Sequence, residues 1–187
     1  TQLVKKAPKA GKIKKTTTNA QLGTTEWTLS NGVKVVIKPT TFKQDEILLN
    51  AFSQGGMSLV ATEDLPSANL ATDVVSFMGL GDFSYTDLKK ALAGKMVSTD
   101  MAINAYSESM SGSSSVKDFE TMLQLIYLQF TAPRYDEEAY RTLIGLFHNK
   151  LINKDKNPKS VFTDSVSLMG SNHSPRTAIW NIETLNQ

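Results

Sequence analysis

The chain has 187 residues, of which 40% are hydrophobic and 20% are charged, with 11 glycines and 6 prolines. This composition is typical of a globular protein and excludes collagen-like, coiled-coil and wholly disordered chains. Cysteine is absent, which excludes disulfide bonds, thiolate metal ligands and a cysteine nucleophile. The only histidines are His148 and His173. A catalytic zinc site takes three protein ligands, so the chain has little with which to build one.

The charge is concentrated at the start of the chain. Residues 1–20 contain six lysines and no acidic residue, whereas the rest carries 14 basic and 18 acidic residues. Residues 1–24 lack hydrophobic periodicity and are predicted to be a flexible, Lys-rich interdomain linker. Nucleic-acid binding by this tail is an alternative, but the tail has no aromatic residue or arginine and the remainder is net acidic. No apolar run approaches the ~20 residues that span a bilayer, so no membrane span is predicted.

The folded region is predicted to begin with strands. Two β-prone runs, residues 26–29 and 33–38, flank Asn31-Gly32, which is the signal of a tight β-hairpin. Residues 46–52 form a further predicted strand, which Gly55-Gly56 closes.

Two helices are predicted to follow. The first begins at Pro66, because proline suits a first helical turn, and stops at Gly79. Its apolar residues recur at helical spacing: Leu70, Val74, Phe77 and Met78. Residues 84–87 resemble a capping box ahead of a short helix that ends near Gly94.

The second half is predicted to contain two strands and then helices. Small and β-prone residues indicate strands near 96–98 and 102–109. Ser115 is predicted to cap a helix that Pro133 ends. The apolar face of that helix consists of Val116, Phe119, Met122, Leu123, Ile126, Tyr127 and Phe130.

Two further helices complete the chain. Acidic residues 136–138 mark the start of one, because the helix dipole favours them there, and Asn157-Pro158 ends it. The last helix carries the apolar residues Val161, Phe162, Val166 and Met169. This order of elements predicts an α+β fold, a largely antiparallel sheet with helices packed on one face.

The common nucleotide-binding, hydrolase and H-E-x-x-H motifs are absent from the sequence. Glycine- or serine-rich stretches at 79–81 and 111–115 each precede a helix, and loop and cap chemistry explains them more simply than a phosphate site. Neither His148 nor His173 has partners at catalytic or metal-binding spacing. Paired acids such as Glu137-Glu138 lie where helices begin, so we interpret them as complements to the helix dipole.

The order of these segments resembles a known family. Residues 27–38 resemble the opening hairpin of M16 (pitrilysin/insulinase-like) zinc peptidase domains, which typically read L-x-N-G-(L/V)-x-V-V-(L/I). Residues 126–134 match in order, and residues 172–177 resemble the N-x-H-P-R segment that closes such a domain. The resemblance covers residues 26–187 and is strongest to a non-catalytic internal domain of the large, four-domain bacterial members. It implies the M16/LuxS–mitochondrial-processing-peptidase-like metallohydrolase fold for residues 25–187.

The chain departs from this family where the zinc site would be. Active M16 domains carry H-x-x-E-H on the first helix, with two zinc-binding histidines and a glutamate that activates water. If Leu70-Ala71 match the family's L-A, then Thr72, Val75 and Ser76 occupy the H, E and H positions. The family's third ligand is a glutamate on the helix before the x-N-P break, and residues 139–154 contain no acid. The resemblance therefore implies no catalytic residue, no metal ligand and no cofactor in this chain, and zinc in a different domain.

The resemblance also implies a role. M16 proteins enclose a substrate chamber between homologous domains, so this chain is expected to form chamber wall and to support proteolysis by a separate active domain. Its expected partners are other M16-type domains of the same polypeptide or complex, and the peptide substrate, in the periplasm or cell envelope. The chain alone is predicted to be inactive. An alternative is a catalytically inert assembly or interaction domain of the same fold with no peptidase role.

Overall fold

The computed structural model describes residues 2–154, 156–177 and 179–186. Their contacts separate two compact units, one spanning Gln2–Glu46 and the other beginning at Ile47. The sequence divides the chain between residues 24 and 25, whereas the contacts divide it between residues 46 and 47.

The first unit is a three-stranded antiparallel sheet in the order β1-β2-β3. Its strands are β1 (Ile13–Asn19), β2 (Thr24–Leu29) and β3 (Lys34–Ile37). The predicted hairpin at Asn31-Gly32 is confirmed, with Gly32 at a φ of 88°. The expectation that residues 1–24 lack regular structure is wrong for β1, which pairs with β2 along its length. That residues 1–24 act as an interdomain linker remains a prediction.

The second unit contains another antiparallel sheet, in the order β4-β6-β5. Its strands are β4 (Ile47–Gln54), β5 (Val97–Ile103) and β6 (Ser107–Ser114). The predicted α+β fold with antiparallel strands is confirmed, although the described strands form two sheets. Strand β6 runs later than predicted, so residues 111–114, interpreted from the sequence as loop and cap, belong to this sheet.

The first five helices of the second unit follow the predicted order, and the short sixth helix was not predicted. They are α1 (Leu65–Met78), α2 (Tyr85–Ala91), α3 (Phe119–Thr131), α4 (Glu137–Lys154), α5 (Pro158–Gly170) and α6 (Ile182–Leu185). The Ser84 hydroxyl caps α2 by accepting from the Asp87 N–H, and the Asn157 side chain caps α5. Helix α4 begins two residues earlier than the acid-free stretch considered above, so Glu137 and Glu138 form part of its first turn.

One face of the β4-β6-β5 sheet is covered by helices. Helices α1 and α3 pack against β5, and α3 also contacts β6. The side chain of Met122 on α3 is fully buried over Gly112 of β6. A Cβ at position 112 would lie 2.8 Å from the Met122 sulfur, so a larger residue there would force the Met122 side chain to move.

The strand register defines the opposite face, which we name the open face. Three serines on β6 run along its middle, and residues of β4 and β5 flank them. Its members are Leu48, Asn50, Phe52, Ser98, Asp100, Ala102, Ser109, Ser111 and Ser113. Leu48, Asn50, Phe52, Asp100 and Ser111 are exposed, so no described element of the second unit covers this face as helices cover the other.

Two predicted apolar faces are not wholly buried. On α3 the buried side is Met122, Leu125 and Leu128, whereas Tyr127 and Phe130 are exposed. On α5 all four apolar residues of the predicted face are exposed.

A buried carboxylate joins the sheet to α3. Asp118 accepts hydrogen bonds from the Met96 N–H at 2.9 Å, the Ser115 hydroxyl at 3.0 Å and the Lys95 ammonium at 3.3 Å. The ammonium of Lys95 also donates to the Thr121 hydroxyl at 3.0 Å. The Met96 N–H, with help from Ser115 and Lys95, holds the pKa of Asp118 below its usual range. We call this group the Asp118 cluster; it fixes the start of β5 against the start of α3.

Two glycine substitutions should change stability in opposite directions. Gly56 has a φ of 59°, and a Cβ there would lie 2.2 Å from the Asn104 carbonyl oxygen, so Gly56→Ala should lower the free energy of unfolding by more than ~1 kcal/mol. Gly145 lies in the interior of α4 with open space around its Cβ position, so Gly145→Ala should raise it by about 0.5–1 kcal/mol. Urea denaturation of both variants and the wild type measures the free energies of unfolding. A Gly56→Ala variant as stable as the wild type would contradict the need for a left-handed turn at Gly56.

The Asp118 cluster should make stability depend on acid. Because folding lowers the pKa of Asp118, its contribution is fully present above the unfolded value of about 3.9 and is lost as pH falls through the lower folded value. Asp118→Asn should therefore destabilise the protein at pH 7, and the gap to wild type should narrow towards pH 3. Thermal unfolding across this range tests the prediction. A gap that stays constant with pH would show that the charge of Asp118 is not involved.

Candidate functional site

The three positions that the sequence analysis assigned to the M16 zinc motif lie on α1. Thr72, Val75 and Ser76 are spaced i, i+3 and i+4, which places them on the same side of the helix. Thr72 and Val75 are half-buried and Ser76 is exposed. Two hydroxyls and an isopropyl group supply neither the imidazole nor the carboxylate that zinc and its general base require. The residues present therefore do not fit a zinc ion.

Two of these positions line a cleft beside β5, which we name the α1–β5 cleft. It has a volume of about 240 Å³ and lies among α1, α2, α3 and the start of β5. Val75 and Ser76 form its α1 side, whereas Thr72 does not line it. Half of the remaining lining residues are aliphatic: Leu80, Leu88, Leu92, Val97 and Leu125. Such a lining suits an apolar group and does not suit a metal ion or a phosphate.

The cleft contains one polar pair. The Gln129 side-chain amide donates to the Thr99 hydroxyl at 3.2 Å. The amide oxygen of Gln129 is buried, and within the described part of the chain it has no hydrogen-bond partner. A buried acceptor without a partner lowers stability, so this oxygen is the most polar unsatisfied point in the cleft.

An aromatic ring and a cation border the same cleft. Tyr85 stacks on Phe77 with 5.5 Å between ring centroids, and the Lys89 ammonium lies 4.4 Å from the centre of the Tyr85 ring. Tyr85 and Lys89 are one turn apart on α2, which allows this cation–π contact. Lys89 thereby adds a positive charge to the wall of the cleft.

The other titratable residues considered in the sequence do not join this site. His148 lies half-buried on α4, and His173 is exposed in a turn at a φ of 54°. The Glu137 carboxylate accepts from Tyr135 and from Arg141, and the Tyr135 hydroxyl lowers the pKa of Glu137 most. Among the described residues, no group of three or more His, Asp or Glu lies close enough to hold a metal ion.

The segment resembling N-x-H-P-R has a structural contact. The guanidinium of Arg176 donates to the carbonyl oxygens of Met57 at 2.8 Å and Val60 at 3.0 Å. These carbonyls lie in the turns between β4 and α1. Arg176 therefore holds the segment that leads into α1, a role that the sequence pattern alone does not reveal.

Sequence reasoning missed the polar pair in the cleft. Thr99 lies on the helix-covered side of β5, and Gln129 lies near the end of α3. The signal available was a glutamine in a helix with few polar residues, but its partner on β5 is 30 residues away in sequence. No local pattern links the two.

Comparisons with known proteins identify relatives of this fold. No protein-family model matches the chain. It is 26% identical over 166 residues to a plant protein, the zinc protease PQQL-like of Arabidopsis thaliana. That alignment covers 88% of this chain and 15% of the plant protein.

Two solved structures share the architecture. The periplasmic protease PqqL from Escherichia coli superposes with a TM-score of 0.79 at 21% identity, covering 100% of this chain and 20% of that one. A peptidase M16 inactive domain from Pseudomonas fluorescens superposes with a TM-score of 0.64 at 13% identity, covering 88% of this chain and 42% of that one. The chain thus spans a fifth or less of the length of PqqL and of the plant relative. The resemblance to M16 zinc peptidases is confirmed, and the fold is that of an M16 peptidase domain.

A helix that spans a bilayer would have to be longer and more apolar than any in the described residues.

The polar pair in the cleft yields a testable energy balance. Thr99→Val removes the partner of the Gln129 amide and should lower the free energy of unfolding by about 1 kcal/mol, because a half-buried amide then lacks its acceptor. Adding Gln129→Met replaces both members with apolar groups and should restore stability to near wild type. Urea denaturation of the single and double variants measures the difference. A double variant less stable than Thr99→Val would show that the pair stabilises the cleft.

Proposed function

We propose that this chain is a non-catalytic domain of an M16-type zinc metallopeptidase and forms part of its substrate chamber wall. The observation that carries the proposal is the set of side chains on α1. The fold is that of an M16 domain, but the helix that bears the zinc motif in active domains presents Thr72, Val75 and Ser76. Proteolysis is then the work of a separate domain.

The side chains available as metal ligands in this chain support a division in which another domain carries out the catalysis. Half of the residues that line the α1–β5 cleft are aliphatic, and aliphatic side chains neither bind zinc nor activate water. When zinc is bound in the complete enzyme, it would activate a water molecule for attack on the peptide bond, and ligands from another domain would hold it. This domain would contribute shape and surface.

The open face has the chemistry of such a surface. Ser109, Ser111 and Ser113 present small hydroxyl groups along β6, and Asp100 is the one charged member of the face. A hydroxyl both donates and accepts hydrogen bonds, so it meets peptide groups of any sequence. Leu48 and Phe52 add exposed apolar contacts at its β4 side. These properties favour weak contact with many peptides over tight binding of one.

Related proteins suggest where the complete protein works. The E. coli neighbour is a periplasmic protease, and the Arabidopsis relative is named a zinc protease. We propose the same location, the periplasm or cell envelope, for the polypeptide that contains this chain. Its partners would be other M16-type domains of the same polypeptide and a peptide substrate.

The alternative is an inert assembly domain of the same fold with no peptidase role. The exposed apolar residues on α3 and α5 favour it as much as they favour a multidomain enzyme, since both require neighbours. The two functions differ in whether the open face meets a substrate.

Charges placed on the open face distinguish the two functions. In the full-length polypeptide, Ser109→Glu and Ser111→Glu should raise KM for acidic peptides, about fivefold for a ~1 kcal/mol repulsion at 4 Å in water, while basic peptides bind as well or better. Ser167→Glu on α5 is the control, because Ser167 is also exposed. Peptide hydrolysis and zinc content are measured together.

The results separate the alternatives. A charge-dependent change confined to the open-face variants, at constant zinc content, supports the chamber wall. Unchanged hydrolysis in all three variants would show that the substrate does not contact the open face. Absence of both zinc and hydrolysis from the full-length polypeptide would favour the assembly domain.

A further inference from the structure

Helix α5 carries an apolar stripe that its own domain leaves uncovered. None of its 13 residues is buried. Phe162 and Met169 are 69% and 74% exposed, and Val161 and Val166 are also exposed. The spacing of these four residues places them along one side of the helix, which we name the α5 stripe.

The other side of α5 fixes the direction of the stripe. Asp164 forms a 2.6 Å ion pair with Lys154 at the end of α4, and both side chains are about three-quarters buried. The carbonyl of Leu168 accepts from the His173 N–H at 2.8 Å. Asp164 and Leu168 are half-buried, one turn apart. The Asp164–Lys154 ion pair and the half-burial of Asp164 and Leu168 mark the inner side of α5, and the exposed stripe faces outward.

The chemistry of the α5 stripe specifies its partner. Ser165 lies within the stripe, but its hydroxyl donates to the Val161 carbonyl at 2.8 Å and needs no outside partner. No member of the stripe is charged. Lys159 lies two turns before Val166 on the same side, so it borders the stripe with a positive charge. The surface therefore fits an apolar patch with a neutral or acidic border.

We propose that the α5 stripe is the surface on which another M16-type domain of the same polypeptide packs. The inference rests on the proposed function insofar as it requires a longer polypeptide. Its occupant follows from length: all of this chain superposes on 20% of PqqL, and the alignment with the plant relative covers 15% of that protein. Four-fifths or more of each relative lies outside the matched region. Domains within one chain pack through such patches, and an isolated soluble domain rarely exposes them.

Cysteine accessibility tests this proposal directly, because the chain contains no cysteine of its own. Phe162→Cys and Val166→Cys place thiols in the α5 stripe, and Ser167→Cys places one at an exposed position outside it. Each variant is made in the 187-residue chain and in the full-length polypeptide. Reaction with a maleimide is followed by peptide mass mapping, which separates the introduced thiol from any other.

The expected result is protection of the stripe alone. In the full-length polypeptide, the thiols at 162 and 166 should react about tenfold or more slowly than in the 187-residue chain, because a covered thiol reacts only when the interface opens. The thiol at 167 should react at the same rate in both. Two stripe positions are used, so that if the variant at one position folds poorly, the variant at the other still tests the proposal.

Three results would overturn the proposal. Equal rates at 162 and 166 in both polypeptides would mean that no domain covers the stripe. Slow reaction already in the 187-residue chain, with a dimer mass by sedimentation, would assign the stripe to a second copy. Equal protection at 167 would mean that the stripe is not the specific contact. Zinc content and hydrolysis are independent of these rates, so protection without peptidase activity would leave the docking surface in place and remove only the peptidase role.

Discussion

The Asp118 carboxylate is the interaction on which the second unit depends. It accepts hydrogen bonds from the first residue before β5, from Ser115 just after β6 and from Lys95. A buried charge is tolerated only when it is paired and fully hydrogen-bonded, so the segment before β5 and the segment that joins β6 to α3 must meet at one point. From that point α3 runs across the sheet, which places Met122 over Gly112 and brings Gln129 to Thr99. The helix-covered face and the α1–β5 cleft both follow from this anchor.

The proposed role implies that the cleft keeps its shape while the chemistry at its centre differs from that of active M16 domains. Residues on α1, α2, α3 and β5 still enclose about 240 Å³, although the side chains at Val75 and Ser76 hold no metal. Packing is set by size and apolar character, whereas catalysis needs specific donors at specific atoms. A domain with aliphatic side chains in this cleft retains the architecture of its relatives. The proposed role accordingly rests on surfaces, the open face and the α5 stripe.

Elements with strong local signals were predictable from the sequence, and elements stabilised from a distance were not. Asn31-Gly32 requires a left-handed turn, and Ser84 and Asn157 satisfy the first N–H groups of α2 and α5, so these boundaries were correct. Strand β1 is exposed throughout and rich in Lys and Thr, so only its pairing with β2 reveals it. Strand β6 consists mostly of Ser and Gly, which have weak β-propensity, and its central place between β4 and β5 stabilises it. Of the site, Thr72, Val75 and Ser76 could be placed on a helix from the sequence, but the Gln129–Thr99 pair could not be predicted.

Hydrophobic periodicity indicates that one face of a helix becomes buried, but it does not indicate which element buries that face. The pattern on α3 joined Met122, which is buried against the sheet, to Phe130, which is exposed. On α5 the same kind of pattern selected four residues that all face outward. Both sequences contain more apolar surface than the core of this unit uses. The excess is consistent with a domain evolved inside a larger polypeptide, where part of the pattern encodes the fold and part encodes contact with the next domain.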